Sequence, residues 1–432
     1  MNAVFVTLVS VAFAVAGWRQ VAWPGEGTAP MQALADAALA GAEAAVPLAI
    51  GLIGVMALFL GLMKVGEAGG LLAILARALG PLMRRLFPEV PPDHPAMGAM
   101  ILNLSANMLG MGNAATPFGI RAMQELDRLN PRKGVATDAM ALFLAINTAG
   151  VTLLPTKVIA LRAASGSADA AGIVATTLFA TAVSAVVAVA AARLLQRVRP
   201  ASVADAATEA APDEHHVPET PAPVGEAMPA IGAAYPVWVS ALLVAGLLAA
   251  IPLMVLYGRA VSPWIIPGLI AGLLLFGWVR GVAVYEVFVE GARDGFTVAV
   301  RIIPYLVAIL VAIGMLRGSG ALDLLVGPVG GVTAAVGLPA EGLVMAVMRS
   351  LSGSGAYGLL AELLRDPAVG PDSYLGYLAS TIYGSTETTF YVIAVYFGAV
   401  QIRRVRHALA AGLIADAAAV AAAVAVCSWL YG

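Results

Sequence analysis

Polar side chains that could bind an ion or a polar solute lie at a few points inside long apolar stretches. They are Asn103, Ser105, Asn107, Asn113, Thr116, Asn147, Thr148 and Thr152 in the first half, and Ser352, Ser354, Ser380, Thr381, Ser385, Thr386, Glu387 and Thr388 in the second. Glycines and prolines such as Gly110, Pro117 and Gly150 accompany them, and these residues interrupt membrane helices. An opened backbone exposes carbonyls and amides that can replace the water around a solute. The pattern predicts substrate or ion binding at helix breaks, with no catalytic group.

Glu387 is the acidic member of this set. A carboxylate at membrane depth is costly, which makes it a functional candidate by default. We expect Glu387 to line a hydrated cavity and to couple transport to Na⁺ or H⁺. The alternative is an interhelical hydrogen bond or ion pair that serves only packing. Lys157 lies near a predicted helix end, where its side chain can extend to the membrane surface.

The composition excludes a soluble protein. The 432 residues are 60% hydrophobic and only 12% charged, with a mean hydropathy of +0.89, whereas soluble domains carry about 25% charged residues. Apolar runs of about 20 residues recur, as membrane spans require. The fold class is therefore an all-α polytopic membrane protein. A net charge of −2 argues against nucleic-acid binding, and the single Cys427 and four scattered histidines predict neither a metal site nor a cofactor.

The chain divides into five predicted segments. Residues 1–30 hold an N-terminal transmembrane helix, which we expect to be retained with Arg19 inside the cell. A first repeat at 31–198 is followed by an acidic, proline-rich linker at 199–234, which we expect to be disordered. Connecting transmembrane helices occupy 235–282, and a second repeat occupies 283–432. Two amphipathic stretches, 31–43 and 283–297, are expected to lie along the membrane surface.

The two repeats are related by a constant spacing. The segment 144–152 matches 378–386 at a distance of 234 residues, and polar residues recur in the same order. Duplicated halves with broken helices are typical of secondary transporters, whose sites lie at the repeat interface. Four basic clusters, at 84–85, 128–133, 193–199 and 403–406, are expected on the cytoplasmic side, which requires inverted repeats. Inversion needs an odd number of crossings between the halves, yet 235–257 and 263–280 look like two.

Longer motifs carry a family resemblance. The run 103–119 and the following Leu129-Asn-Pro131 resemble bacterial spore maturation protein A, while 349–356 and 384–392 resemble spore maturation protein B. The chain resembles a fusion of the two, within the nucleoside recognition or gate group that also includes part of the concentrative nucleoside transporters. Gly384-Ser-Thr-Glu-Thr resembles their Gly-Gln-Thr-Glu-Ala hairpin, which implies nucleoside contacts at the polar positions. Serine replaces the glutamine here, and threonine replaces the alanine.

Two classes of function are compatible with these features. The first is a secondary transporter that moves a small polar solute, with nucleosides as one candidate class, coupled to Na⁺ or H⁺. The second is a membrane scaffold that retains a transporter-derived fold and acts in envelope or spore maturation through partners. An enzyme is not expected. The predicted location is the bacterial cytoplasmic membrane, where the chain contacts lipid and where assembly into a homo-oligomer stays open.

Overall fold

The computed structural model describes residues 2–198 and 235–432, and it is helical throughout these ranges except for loops and one isolated bridge, between Val135 and Arg404. The first half contains α1 (Asn2–Val21), α2 (Pro30–Ala68), α3 (Leu71–Leu86), α4 (Pro95–Met108), α5 (Gly112–Arg128), α6 (Asp138–Thr148), α7 (Thr156–Ala164) and α8 (Ile173–Val198). The second contains α9 (Val237–Val279), α10 (Val284–Gly318), α11 (Ala321–Ala335), α12 (Ala340–Leu351), α13 (Gly353–Arg365), α14 (Tyr374–Ser385), α15 (Thr389–Gly398) and α16 (Ala408–Tyr431). The predicted linker lies outside the described residues.

Helices in equivalent positions of the two halves run antiparallel. In the α2–α10 pair, a methyl group on Gly41 would lie 2.6 Å from the Leu310 carbonyl oxygen, and one on Gly61 would lie 2.8 Å from the Phe288 carbonyl oxygen. Only glycine permits this approach, and small residues at helix interfaces are typical of membrane proteins. The stretches 31–43 and 283–297, predicted to lie on the membrane surface, instead belong to these two paired helices.

The α8–α16 pair repeats this arrangement. The Ser184 hydroxyl donates to the Ala415 carbonyl oxygen at 3.0 Å, and the Tyr431 hydroxyl donates to the Gly172 carbonyl oxygen at 3.1 Å. As residue numbers rise along α8, they fall along its partner. Because α2 and α8 both pair antiparallel with their own counterparts, the predicted inversion of the two halves is confirmed.

The path of α9 resolves the conflict over the number of crossings. The Ser240 hydroxyl donates to the Ala78 carbonyl oxygen of α3, and Phe276 lies against Gly69, which directly follows α2. A straight helix would separate residues 240 and 276 by about 54 Å, too far to reach both sites. The helix must therefore bend back, and it contains three prolines, which weaken helices at their positions: Pro252, Pro263 and Pro267.

The second part of α9 occupies the place that α1 has in the first half. Phe276 lies against Gly69 at the corner between α2 and α3, while Arg19 of α1 lies against Gly320 at the equivalent corner between α10 and α11. The second predicted span therefore belongs to the second repeat, and the first span alone connects the halves. One connecting crossing is the odd number that inversion requires.

Residues of all four basic clusters meet at one end of the bundle. Arg406 pairs with Asp138 at 2.7 Å, beside the 128–133 cluster, and Arg193 of α8 bonds to the Leu86 carbonyl oxygen at 2.6 Å, next to the pair at 84–85. Gln196 also reaches Asp138, at 2.9 Å, and so joins the α8 end to the same loops.

Arg19 lies at the opposite end, so the prediction that it shares the side of the basic clusters is wrong. Arg19 lies beside Gly320, three residues after Arg317. Arg317 pairs at 3.2 Å with Asp366, in the loop that follows α13 at the end of the bundle opposite the basic clusters. The small residues Ala12 and Ala16 pack α1 into a buried cluster with α10, and this packing determines the helix direction more strongly than one positive charge.

The outer surface is suited to lipid. Among the described residues, four helical segments are long and apolar enough to cross a membrane: Pro30–Ala68, Ile173–Val198, Ala260–Val279 and Ala408–Tyr431. Trp18, Trp278 and Trp429 lie near helix ends with 65–72% of their surface exposed, as in the aromatic belts of membrane proteins. The chain is a multi-pass membrane protein that contacts the bilayer.

Candidate functional site

Two broken helices cross near the middle of the protein. The first break separates α6 from α7, and the second separates α14 from α15. At the crossing, the Glu387 backbone N–H donates to the Thr148 carbonyl oxygen at 2.8 Å. A methyl group on Gly150 would lie 3.1 Å from the Thr386 backbone. The unwound segments of the inverted halves therefore touch through their backbones, as sites at a repeat interface do.

Local sequence accounts for both breaks. Gly150 has φ +75° and Val151 has φ +25°, a left-handed conformation that glycine adopts easily and that ends a helix. Pro155 then precedes α7. In the second half, Thr386 and Thr388 are extended, with ψ angles of 165° and 100°, and β-branched side chains favour that conformation. Backbone groups in both segments are released from helical hydrogen bonds.

Arg349, a residue of α12, contacts all three residues of the second break. Its guanidinium donates to the Thr388 hydroxyl at 3.0 Å and to the Thr386 carbonyl oxygen, and it pairs with the Glu387 carboxylate at 3.4 Å. It also stacks over the Tyr383 ring, 4.5 Å from the centroid. Arg349 is 5% exposed, while the Glu387 side chain is 42% exposed. A cation and an accessible carboxylate thus stand together at the crossing.

A chain of hydrogen bonds among Asn103, Asn107, Asn147 and Tyr396, called the amide ladder below, joins the first break to the second half. The Asn107 amide donates to the Asn147 side-chain oxygen at 3.0 Å, and the Asn103 amide donates to the Tyr396 hydroxyl at 3.0 Å. The Tyr396 hydroxyl also lies 3.5 Å from the Asn147 oxygen. At the tip of the α4–α5 hairpin, Gly110 packs on the Leu154 carbonyl oxygen. The hairpin is therefore held on the broken helix by polar contacts.

A buried carboxylate, Asp416 of α16, lies beside the second hairpin, which α12 and α13 form. Its Oδ2 accepts hydrogen bonds from the Ser350 hydroxyl at 2.7 Å and from the Thr389 hydroxyl at 2.6 Å. Asp416 is 7% exposed, and its Oδ1 has no hydrogen-bond partner among the described residues. Asp416 and Ser350 contribute polar groups to a mainly apolar cavity of about 680 Å³ between α12 and α16.

Many of the predicted site residues come together at the crossing. Those whose side chain or backbone takes part in the contacts described above are Asn103, Asn107, Asn147, Thr148, Thr386, Glu387 and Thr388. Thr152 joins the first break, because its hydroxyl donates to the Gly150 carbonyl oxygen at 3.2 Å. Asn113 and Thr116 are in the first turns of α5, and the Asn113 side chain is outside the described residues.

Other predicted residues have structural contacts elsewhere. Thr381 bonds to Thr176 of α8 at 2.7 Å, and Ser380 lies 3.4 Å from Arg162. The hydroxyls of Ser105 and Ser385 bond to carbonyl oxygens within their own helices.

Ser352 caps α13 through the Gly355 N–H at 3.0 Å, and Ser354 is exposed on that helix. Ser352 therefore organises the tip of the second hairpin.

Three residues at or near the site were not among the candidates: Arg349, Tyr396 and Asp416. Arg349 and Asp416 are charged residues inside apolar helices, the signal that had drawn attention to Glu387. Applied to every charge in an apolar run, the same rule would have found both. Tyr396 carries no such signal, because its contact with Asn103 spans 293 residues.

The comparisons with known proteins agree with this architecture. The chain belongs to the Gate family, described as nucleoside recognition, whose profile matches residues 49–196 and 299–403, more than half of the chain. Together with the fold, this defines a transporter-like membrane protein. No solved structure matches the chain.

Two proteins from Bacillus subtilis (strain 168) are similar in sequence to this chain. Spore maturation protein B is 46% identical over 167 residues, covering 39% of this chain and 93% of that protein. Spore maturation protein A is 45% identical over 156 residues, covering 36% of this chain and 80% of that protein. The predicted resemblance to both is confirmed, and neither relative is named as an enzyme.

Proposed function

We propose that this protein is a secondary transporter that moves a small polar solute across the bacterial cytoplasmic membrane, coupled to Na⁺ or H⁺. The crossing of the two unwound segments is the observation that carries the proposal. It brings released backbone groups, Arg349 and the accessible Glu387 to one place at the interface of inverted halves. Packing alone would not require two helices to open at the same point.

The chemistry of the crossing favours a neutral or zwitterionic solute with several hydrogen-bonding groups. Arg349 and Glu387 offer one charge of each sign, 3.4 Å apart, so a strongly charged solute would leave one of them opposed. Asn107 and Asn147 add amide groups. Nucleosides fit this description, and the nucleoside recognition family to which the chain belongs supports them as the first class to test.

The ion pair with Arg349 favours a role for Glu387 in solute binding, not in ion coupling. The sequence pattern predicted it as the coupling carboxylate, but Arg349 already compensates its charge at 3.4 Å. We therefore assign the pair to solute binding, where the solute competes with or bridges the two groups. The coupling ion then needs a different carboxylate, or a site built from backbone oxygens.

A membrane scaffold is the second candidate. The names of the two relatives, spore maturation proteins A and B, support a role in spore maturation. The amide ladder also saturates several of its own polar groups, as a permanently closed interface would. Under this alternative, the Arg349–Glu387 ion pair serves only to fix the second break within its own half.

Ligand-induced stabilisation separates the two candidates. The melting temperature of the purified full chain is measured with adenosine, uridine, nucleobases, amino acids and organic acids. A ligand at 100 times its Kd stabilises by about 2.7 kcal/mol, so one chemical class should raise the melting temperature. Glu387→Gln should lose this response, while Lys157→Gln, at an exposed position outside the crossing, should keep it. No response to any class would favour the scaffold.

A further inference from the structure

Asp416 lies in an environment where permanent ionisation of its carboxyl group would be energetically costly. It lies in the first half of α16, a helix long and apolar enough to cross a membrane, and is 7% exposed. Both hydroxyls that reach it bond to the same oxygen, Oδ2. Its Oδ1 is buried and has no partner among the described residues. An uncompensated charge in such a place is costly, and a buried polar atom left unpaired requires an explanation.

We propose that Asp416 is the proton-binding site of this transporter, with the proton carried on Oδ1 and with Ser350 and Thr389 orienting the carboxyl group. The inference rests on the proposed transport function and names its coupling ion. A proton on Oδ1 removes the charge and leaves Oδ2 free to accept both hydroxyls. The carboxyl group is then electrically neutral at this depth.

The geometry favours a proton over a metal cation. Hard metal ions take about six oxygen ligands. Around Asp416 the described residues supply two hydroxyls, and both donate to Oδ2 instead of turning their oxygens toward Oδ1. No group of three or more acidic, histidine or cysteine residues suited to a metal occurs in the described part of the chain.

Among the residues that the structure describes, few other charges act on Asp416. From α12, Arg349 is the charged group that interacts with it, and Arg349 also pairs with Glu387 of the second break. In this part of α16, Thr148 of α6 lies beside Gly412, and Ser184 of α8 donates to the Ala415 carbonyl oxygen. Neither of these two side chains ionises near neutral pH, so the Arg349–Glu387 pair is the electrostatic partner of the site.

The position of Asp416 connects proton binding to the solute site. Ser350 directly follows Arg349, and Thr389 directly follows Thr388, which bonds to Arg349 at 3.0 Å. The carboxyl group therefore bridges α12 and α15 one residue away from the contacts that hold the second break. Protonation changes how strongly Asp416 holds both hydroxyls, and so changes how firmly the hairpin is tied to the broken helix.

The carboxyl group borders a cavity that is separate from the crossing of the broken helices. Asp416 and Ser350 line this mainly apolar cavity of about 680 Å³ between α12 and α16, which also includes Ser428 of α16. A coupling-ion site beside the solute site, and not within it, suits coupled transport.

Infrared spectroscopy of the full chain in lipid tests the proposal directly. The C=O stretch of a protonated carboxyl group is followed by difference spectra between acid and alkaline buffers. We expect a titrating band in the wild type and in Glu387→Gln, its loss in Asp416→Asn, and a shifted band in Asp416→Glu. Thr389→Val, which removes one hydroxyl donor, should displace the pH at which the band titrates.

Several results would overturn the assignment. These are a band that persists unchanged in a folded Asp416→Asn protein, a wild type without a band attributable to Asp416, or loss of that band when choline is replaced by Na⁺, which would mean a sodium site. If Asp416→Asn does not fold, Asp416→Glu and Thr389→Val decide in the same way. Failure of transport alone would leave the band intact, so the two proposals fail separately.

Discussion

Asp138 and Asp372 stand 234 residues apart, the spacing that relates the two halves, and each pairs with an arginine of the opposite half. Asp138 binds Arg406 at 2.7 Å, and Asp372 binds Arg162 at 3.0 Å. Asp138 begins α6, and Asp372 lies two residues before α14 begins. The two ion pairs therefore tie the start of each broken helix to the other half, at opposite ends of the bundle.

The Arg162 pair should contribute strongly to stability. The Arg162 side chain is fully buried and also donates to the Pro371 carbonyl oxygen at 2.6 Å. Asp372 is 36% exposed, so breaking this pair should cost less than the roughly 3 kcal/mol of a fully buried ion pair, but it still leaves the buried arginine charge uncompensated. We expect Asp372→Asn to lower the melting temperature of the detergent-solubilised protein by several degrees. Arg365→Gln, at an exposed position near the same end, is the control and should have little effect; equal effects would contradict this account.

The contact between the two breaks can be isolated with a pair of glycines. Gly150 and Gly166 have similar φ angles, +75° and +79°, so an alanine at either position costs about 1–2 kcal/mol in backbone strain. Only at Gly150 would the new methyl group meet backbone atoms within 4 Å. We expect Gly150→Ala to destabilise the protein more than Gly166→Ala in thermal unfolding. Equal melting temperatures for the two variants would disprove the close contact of the breaks.

The amide ladder depends on the Tyr396 hydroxyl. Tyr396→Phe removes an acceptor of the Asn103 amide, which is fully buried, and an unsatisfied buried donor costs about 1–3 kcal/mol. The loss should appear as a lower melting temperature. Tyr285→Phe, at a side chain that is 75% exposed, should leave the melting temperature unchanged. An unaffected Tyr396→Phe protein would mean that the ladder does not hold the halves together.

Stability should fall in mild acid because of His407, in the loop that precedes α16. Burial, followed by the charge of Arg406, lowers the pKa of His407 from its ordinary value of 6.5. The folded state therefore favours neutral histidine, and the unfolded state binds more protons as the pH falls below about 6.5. Folding stability is retained above that pH and lost below it. Melting temperatures measured from about pH 8 to pH 5 should fall less steeply in His407→Gln than in wild type, and equal slopes would contradict the assignment.

The architecture was largely predictable because short stretches of sequence determine most of it. Apolar runs gave the spans, glycines and prolines such as Gly150 and Pro155 marked the breaks, and the repeated order of polar residues revealed the duplication. The distribution of arginines indicated inversion. The path of α9 was not predictable in the same way, because its two spans look alike in composition and only their packing shows that one belongs to the second repeat.

The partners within the site were harder to predict. Arg349 contacts Glu387 from a different helix, and Asp416 meets Ser350 across 66 residues. Such pairs depend on how the helices cross, and no periodicity in one segment reports on a crossing. Thr381 is a further example, because its hydrogen bond to Thr176 joins two helices that are 205 residues apart in the chain.

Uptake into liposomes tests the central claim most directly. Full-length protein is reconstituted, and accumulation of radiolabelled uridine, adenosine and representatives of the other solute classes is followed with and without a pH gradient. We expect saturable uptake of one class, lost in Arg349→Gln and retained in Lys157→Gln. Folded protein that accumulates none of these solutes above protein-free liposomes would contradict the account.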